Sequence, residues 1–119
     1  DLEMPMNSND QDLLYYHWWP KKNTTEWIQY DFPKATSVSE ASVYWFDDSP
    51  WGGCRLPKSW RILYKSGSKW IPVKVNGGYP TAKDISNVVK FKAVKTTAVR
   101  LEVTMTEEFS SGLYEWSVK

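Results

Sequence analysis

The feature that most constrains the fold of this chain is a repeated alternation of apolar and polar residues. It is clearest in residues 99–105, where Val, Leu, Val and Met alternate with Arg, Glu and Thr. Side chains of a β-strand point to opposite faces in turn, so this period predicts strands with one buried face. No helical period extends beyond two turns, and seven prolines and six glycines interrupt the chain at short intervals. These patterns predict an all-β protein, an antiparallel two-sheet β-sandwich of about seven short strands.

The same alternation predicts which side chains face the core. The residues expected to point inward are Ile28, Tyr30, Phe32, Ala41, Val43, Trp45, Trp60, Ile62, Tyr64, Val99, Leu101, Val103, Met105, Trp116 and Val118. Leu63 falls on the opposite face of its strand, beside Arg61 and Lys65. Residues 33–37 are expected to form a loop, and Ser66-Gly67-Ser68 predicts the turn of a hairpin.

Length and charge exclude several classes of protein. The chain has 119 residues, which fits a single domain over 1–119. Fifteen Lys and Arg against 14 Asp and Glu give a net charge of +1, without the basic excess typical of nucleic-acid binding. No apolar run approaches the roughly 18–20 residues of a membrane span. Cys54 is the only cysteine, so no internal disulfide can form, and we expect a small buried side chain.

Aromatic residues are unusually frequent and point to a binding surface. They make up 16% of the chain, with 8 Trp and 7 Tyr, more than a small core usually needs. We expect the loops at 15–25, 47–57, 76–87 and 107–112 to gather at one end of the fold and to present some of these rings there.

The chemistry of the loops favours sugar binding over catalysis. Acidic pairs occur at 47–48 and 107–108, but no nucleophile, metal or phosphate-binding motif accompanies them. A sugar ring has an apolar C–H face that stacks on aromatic rings and hydroxyl groups that bind planar polar side chains. The predicted ligand-binding residues are Trp18, Trp19, Trp51, Tyr79 and Phe109 among the aromatics, and His17, Asp47, Asp48 and Arg55 among the polar residues, with Asn87 as a further polar candidate. One of Trp18 and Trp19 is expected to serve packing, Arg55 can equally make a structural salt bridge, and Trp51, beside two glycines, is the favoured platform.

Five segments together resemble the discoidin superfamily, the coagulation factor five/eight type C domain. They are TTEWIQYDF at 24–32, VSEASVYW at 38–45, LPKSWRILYKSGSKWIPV at 56–73, VRLEVTM at 99–105 and YEWSV at 114–118. This resemblance implies a galactose-binding-like jelly roll, with the family's first strand expected before Asp1.

A narrower resemblance rests on WWPKK, YWFDD and GGCRLPKSW. It is to the accessory module of bacterial β-L-arabinofuranosidase-like glycoside hydrolases, which are typical of gut Bacteroides. It implies a noncatalytic module of a larger secreted or periplasmic enzyme. The implied partners are an arabinose- or galactose-containing plant polysaccharide and the catalytic domain of the parent chain.

The family resemblance also implies a structural calcium ion. The last-strand glutamate of the family pattern falls on Glu115, and Asp1 and Ser8 lie nearest to the N-terminal ligands. Hard carboxylate and hydroxyl oxygens suit Ca²⁺.

Two other functions remain open at this point. The aromatic loops could pack against the catalytic domain, which would make the module a structural brace between domains. Catalysis by this domain alone is a more distant alternative.

Overall fold

The fold is all-β in the computed structural model, which describes residues 16–18, 21–47, 49 and 52–119. The strands are β1 (Tyr16–His17), β2 (Thr25–Phe46), β3 (Ser59–Ser66), β4 (Lys69–Pro72), β5 (Ser86–Thr104) and β6 (Gly112–Val118). They form one hydrogen-bonded sheet in the order β1-β6-β2-β5-β3-β4, and all neighbouring strands are antiparallel. The predicted all-β, antiparallel class is therefore confirmed. Within the described ranges, no helix is long and apolar enough to cross a membrane.

Strand β2 continues through the segment that was predicted to be a loop. Its pairing with β5 changes register between Asp31 and Thr36, which face Ala98 and Thr96, so β2 carries extra unpaired residues there. Proline cannot donate a backbone hydrogen bond and is tolerated in a strand at such an irregularity. The prediction of a separate loop at 33–37 was wrong, because the bulge interrupts the pairing without ending the strand.

The interruption lets the long antiparallel pair of β2 and β5 fold back on itself. Trp60 pairs with Val103, and Val103 pairs with Glu26 near the start of β2. The ring of Trp60 nevertheless lies 5.6 Å from that of Trp45, near the other end of β2. A flat sheet would keep these rings far apart, so the two halves of β2 must face each other across the core.

The core lies between these halves and follows the predicted alternation. Val43, Trp45, Ile62, Val99, Leu101, Val103 and Met105 are at most 1% exposed. Burial of each such side chain contributes about 1.5–3 kcal/mol relative to exposure, so this set supplies much of the drive to fold.

A bulge in β6 gives the sheet a second buried face. Tyr44 pairs with Glu115, whereas Trp45 pairs with Leu113, so Tyr114 is an extra residue in β6. The bulge reverses the side-chain phase, which lets both Leu113 and Trp116 pack on the main core. Tyr114 instead joins a cluster on the other face, with Tyr44, Phe46 and Cys54. Cys54 is 2% exposed, as predicted for a small buried side chain.

Two side chains and one loop segment differ from expectation in burial or pairing. Tyr30 was expected in the core but is 43% exposed, where its ring contacts Phe32 and Trp116. Leu63 was assigned to the outer face but is only 5% exposed, because other side chains cover it there. Residues 16–17, expected in a loop, pair with β6 as β1. The hairpin at Gly67 is confirmed, with Ser66 paired to Lys69 and a positive φ of 62° at Gly67.

Candidate functional site

Loops from distant parts of the chain meet at one end of the fold, as predicted. The segment after Trp18 contacts the β5–β6 loop, because the N–H of Asn23 donates to Thr106 O at 2.8 Å. The β2–β3 loop contacts the β5–β6 loop from the other side. The backbone N–H of Arg55 donates to Ser110 O at 2.9 Å, and the backbone N–H of Ser110 donates to Gly53 O at 3.0 Å. The β5–β6 loop therefore lies at the centre of this loop end, held by backbone hydrogen bonds on both flanks.

Arg55 and Phe109 are the two predicted ligand residues that the structure brings into contact. The guanidinium carbon of Arg55 lies 4.2 Å from the centroid of the Phe109 ring. Its Nη1 donates to the carbonyls of Gly52 at 2.7 Å and Cys54 at 2.9 Å, which fixes the side chain along its own loop. A cation over a ring face is stabilised by about 0.5–2 kcal/mol, more where water is excluded. The pair is thus ordered before any ligand arrives.

The backbone around Phe109 is also preset. Its N–H donates to the hydroxyl of Thr106 at 3.1 Å, and that hydroxyl donates to the Phe109 carbonyl at 3.2 Å. This local turn holds the ring at the border of an open groove. The groove is lined by Lys58, Thr106, Glu107, Glu108 and Phe109. One aromatic edge with hydroxyl, ammonium and carboxylate groups around it suits a ligand rich in hydroxyls.

Asp47 holds the β2–β3 loop in place. Its side chain is buried and accepts hydrogen bonds from the N–H of Ser49 at 2.9 Å and of Leu56 at 3.3 Å. The ammonium group of Lys83 lies 3.8 Å from the same carboxylate. Asp47 therefore joins this loop to the segment before β5 and is not placed to bind sugar, contrary to its predicted role.

Trp18 belongs to the core and the half-buried Tyr79 packs against it, which corrects their assignment as ligand platforms. The Tyr79 ring packs edge-on against Trp60 at 4.9 Å. Its hydroxyl accepts from the N–H of Ile62 and donates to Val73 O, both at 3.2 Å, and burial raises the pKa of this phenol. Trp18 is 7% exposed, and its backbone N–H donates to Ser111 O at 3.0 Å. Both rings complete the hydrophobic interior beneath the loops, so one member of the Trp18–Trp19 pair does serve packing.

Asn87 is also structural. It is 3% exposed, and its amide oxygen accepts from the N–H of Ala82 at 2.7 Å. Its amide nitrogen donates to the carbonyls of Val43 at 3.3 Å, Ala82 at 2.9 Å and Ile85 at 3.1 Å. These bonds anchor the loop before β5 to β2, which leaves the side chain no free edge for a ligand.

Several predicted site residues lie outside the described part of the chain. Trp19, Asp48 and Trp51 are among them, and for His17 only the backbone in β1 is described. Their roles stay predictions.

The calcium prediction likewise remains a prediction. Glu115 is half-buried on β6 opposite Tyr44, whereas Asp1 and Ser8 lie outside the described residues. Among the residues that the structure describes, no group of three or more His, Cys, Asp or Glu side chains could hold a metal ion. The three predicted ligands therefore stay a prediction that includes Asp1 and Ser8.

The structure adds residues that the sequence analysis did not single out. Lys58 and Thr106 line the groove. In the sequence, the one signal for them is that each lies next to a loop that was predicted to bind ligand. On the outer face of the sheet, Arg100 lies between Trp27 and Trp70. Trp27 shares the polar face of its strand with Gln29 and Asp31, and a tryptophan on a polar face was a usable signal.

Comparisons with known proteins agree with this geometry. A sequence profile of the F5/F8 type C class, described as a NedA-like, galactose-binding domain, matches residues 7–101. No curated relative matches the sequence significantly.

Solved structures share the fold at low sequence identity. A structure of the Streptococcus pneumoniae β-galactosidase BgaA superposes with a TM-score of 0.79 at 21% identity, over 99% of this chain and 80% of that one. Chitosan-binding module 2 of a Paenibacillus sp. IK-5 chitosanase/glucanase, in complex with chitotriose, has a TM-score of 0.60 at 21% identity over 86% and 76% of the two chains. CBM32-3 of a family 31 glycoside hydrolase from Clostridium perfringens has a TM-score of 0.62 at 12% identity over 94% and 76%.

Proposed function

The chain belongs to the F5/F8 type C family of NedA-like, galactose-binding domains, and on this basis we propose that it is a noncatalytic carbohydrate-binding module. Its parent would be a bacterial plant-glycan-degrading glycoside hydrolase that is secreted or periplasmic. The ligand proposed is an arabinose- or galactose-containing plant polysaccharide. Modules of similar fold are described as binding chitosan, with chitotriose in one complex, which supports a carbohydrate ligand.

The observation that carries this proposal is the preset Arg55–Phe109 pair beside the groove. The Arg55 guanidinium fixes the Phe109 ring at 4.2 Å, and Thr106 fixes the backbone of the same residue. A sugar that enters the groove finds an ordered ring for its C–H face and the side chains of Lys58 and Glu107 for its hydroxyls. Little side-chain entropy remains to be lost on binding, which favours recognition of a weakly binding ligand.

A titration of single-residue variants tests the loop end. Galactose, arabinose and an arabinogalactan oligosaccharide are added separately to ¹⁵N-labelled protein while amide shifts are recorded. We expect the amides of Gly53, Phe109 and Ser110 to shift with at least one of these sugars. Phe109→Ala removes the ring and should lower the affinity for that sugar about five- to tenfold, which is the effect of one lost aromatic contact.

The matched control is Tyr30→Ala, which removes another exposed ring outside the loop end. It should leave the affinity unchanged. Sugar binding that survives Phe109→Ala intact would contradict the assignment of the site. A folded protein that binds none of a broad panel of glycans would favour the alternative of a structural brace against the catalytic domain.

A further inference from the structure

The outer face of the sheet carries a second ordered cluster, made of Trp27 on β2, Arg100 on β5 and Trp70 on β4. We call it the outer-face clamp. The guanidinium carbon of Arg100 lies 4.0 Å from the ring centroid of Trp27 and 4.1 Å from that of Trp70. All three residues lie on strands, and none of them lines the groove at the loop end.

The clamp is rigid because its parts hold each other across the sheet. Arg100 and Trp70 lie on opposite sides of β3, so their contact passes over the outer face of that strand. Leu63, which pairs with Arg100 in register, is therefore only 5% exposed although it is on this face. The Nε of Arg100 donates to the amide oxygen of Gln29 at 2.8 Å, which sets the rotation of the guanidinium plane.

The remaining donors of Arg100 have no partner within the part of the chain that the structure describes. Its recorded polar contact is the one from Nε to Gln29, and neither Nη1 nor Nη2 donates to another residue in the described ranges. The second arginine on this face differs, because the Nε of Arg61 lies 2.6 Å from a Glu102 carboxylate oxygen. The nearby Asp31 carboxylate accepts from Gln29 at 2.7 Å. Among the described residues, Arg100 thus has no acidic partner for its charge.

These observations point to a carboxylate ligand that has an apolar face. The two Nη groups of a guanidinium form a fork that matches the two oxygens of a carboxylate. Trp27 is 50% exposed, so part of its indole beside the fork stays available for the C–H face of a sugar ring. Lys65 lies on the same face, paired in register with Trp70, and adds positive charge.

We infer that the outer-face clamp is a second glycan-binding site, specific for sugars that carry a carboxylate, that is, for uronic acids. The Arg100 fork binds the carboxylate and the exposed part of Trp27 packs on the sugar ring. A neutral sugar leaves the guanidinium donors unmatched, so selectivity comes from the charge. This site does not depend on whether the loop end binds sugar.

Calorimetric titration of the full chain with trigalacturonate tests the inference, with fully methyl-esterified trigalacturonate as the neutral counterpart. The acid should bind and the ester should bind about 10- to 100-fold more weakly, the range for a charge-assisted, bidentate contact. In parallel NMR spectra, the indole N–H signals of Trp27 and Trp70 should shift with the acid.

Arg100→Lys keeps the positive charge but removes the guanidinium fork, and should weaken the binding of trigalacturonate by at least about tenfold. Arg61→Lys is the matched control on the same face and should leave binding unchanged. Thermal unfolding of both variants checks that each is folded. Equal binding of acid and ester, equal losses in the two variants, or no binding of trigalacturonate to the unmodified chain would each overturn the inference.

Phe109→Ala separates the two sites. We expect it to leave trigalacturonate binding intact while it weakens the neutral sugar of the loop end. If it abolished trigalacturonate binding and Arg100→Lys did not, the acid would bind at the loop end. That result would refute the outer-face site and support the proposed function.

Discussion

Asn87 offers a sharp test of how the loop end is held together. Its side chain has four backbone partners while only 3% exposed: the amide oxygen accepts one hydrogen bond, and three carbonyls share the two hydrogens of the amide nitrogen. Each such bond contributes about 1 kcal/mol net, and the contact of 3.3 Å to Val43 O contributes less. Asn87→Ala should therefore lower the free energy of unfolding by about 3 kcal/mol, a large share of the roughly 5–15 kcal/mol available to a domain.

The measurement is urea denaturation at 25 °C, followed by tryptophan fluorescence. The midpoint should fall while the slope with urea stays the same, because the folded and unfolded surfaces hardly change. Asn76→Ala is the matched control, since Asn76 is exposed in the preceding loop. A loss below about 1 kcal/mol for Asn87→Ala would refute the assigned bonds.

Asn87→Asp adds a pH-dependent arm to the same experiment. The new carboxylate keeps the bond from the Ala82 N–H but faces three carbonyl oxygens where the amide donated. Repulsion and burial raise its pKa in the folded state. Stability is then greatest below the pKa of the unfolded state and falls as the pH rises through the folded value. We expect the deficit relative to the unmodified chain to grow between pH 4 and pH 7, and a deficit independent of pH would contradict this geometry.

Other predictions concern single features of the fold. Burial raises the pKa of Tyr79, so its neutral form stabilises the fold below pH 10, and this contribution is lost as the pH rises further; Tyr79→Phe should flatten the alkaline part of a stability–pH curve. Gly67 has a positive φ with open space around it, so Gly67→Ala should cost about 1 kcal/mol in urea denaturation, and Gly67→Asn less, whereas equal effects would argue against a left-handed turn. If Glu115 helps to hold calcium, millimolar Ca²⁺ should raise the melting temperature of the chain but not that of Glu115→Gln, and the calcium prediction fails if both respond alike or neither does.

Local patterns predicted the strands well where one face is buried. Residues 99–105 alternate cleanly because β5 faces the core on one side only, and Leu101 and Val103 are fully buried as expected. The alternation put Leu63 on the correct face but did not predict its burial there, nor the exposure of Tyr30, because both depend on what other strands place over them. Leu63 pairs with Arg100, which is distant in sequence and whose guanidinium contacts Trp70 on the other side of β3. No local period carries that information.

The candidate site was predictable only in part, for a related reason. Arg55 and Phe109 were both named from loop composition, but their contact depends on hydrogen bonds between the two loops. Asp47, Tyr79 and Asn87 look like binding residues in sequence, since polar groups in loops are common to both roles. In the structure their polar atoms make hydrogen bonds to backbone groups at the ends of strands. The same atoms are then not available to bind a ligand.

The fold-back of the β2–β3–β5 region has a consequence for how a ligand and the fold affect each other. The groove at the loop end is lined by Lys58, just before β3, and by Thr106, Glu107, Glu108 and Phe109, just after β5, so its two sides meet only when β3 and β5 are paired. Partly unfolded chains therefore lack the complete groove. A sugar that binds there stabilises only the native state, so adding it should raise the melting temperature by an amount that grows with the logarithm of its concentration divided by its Kd.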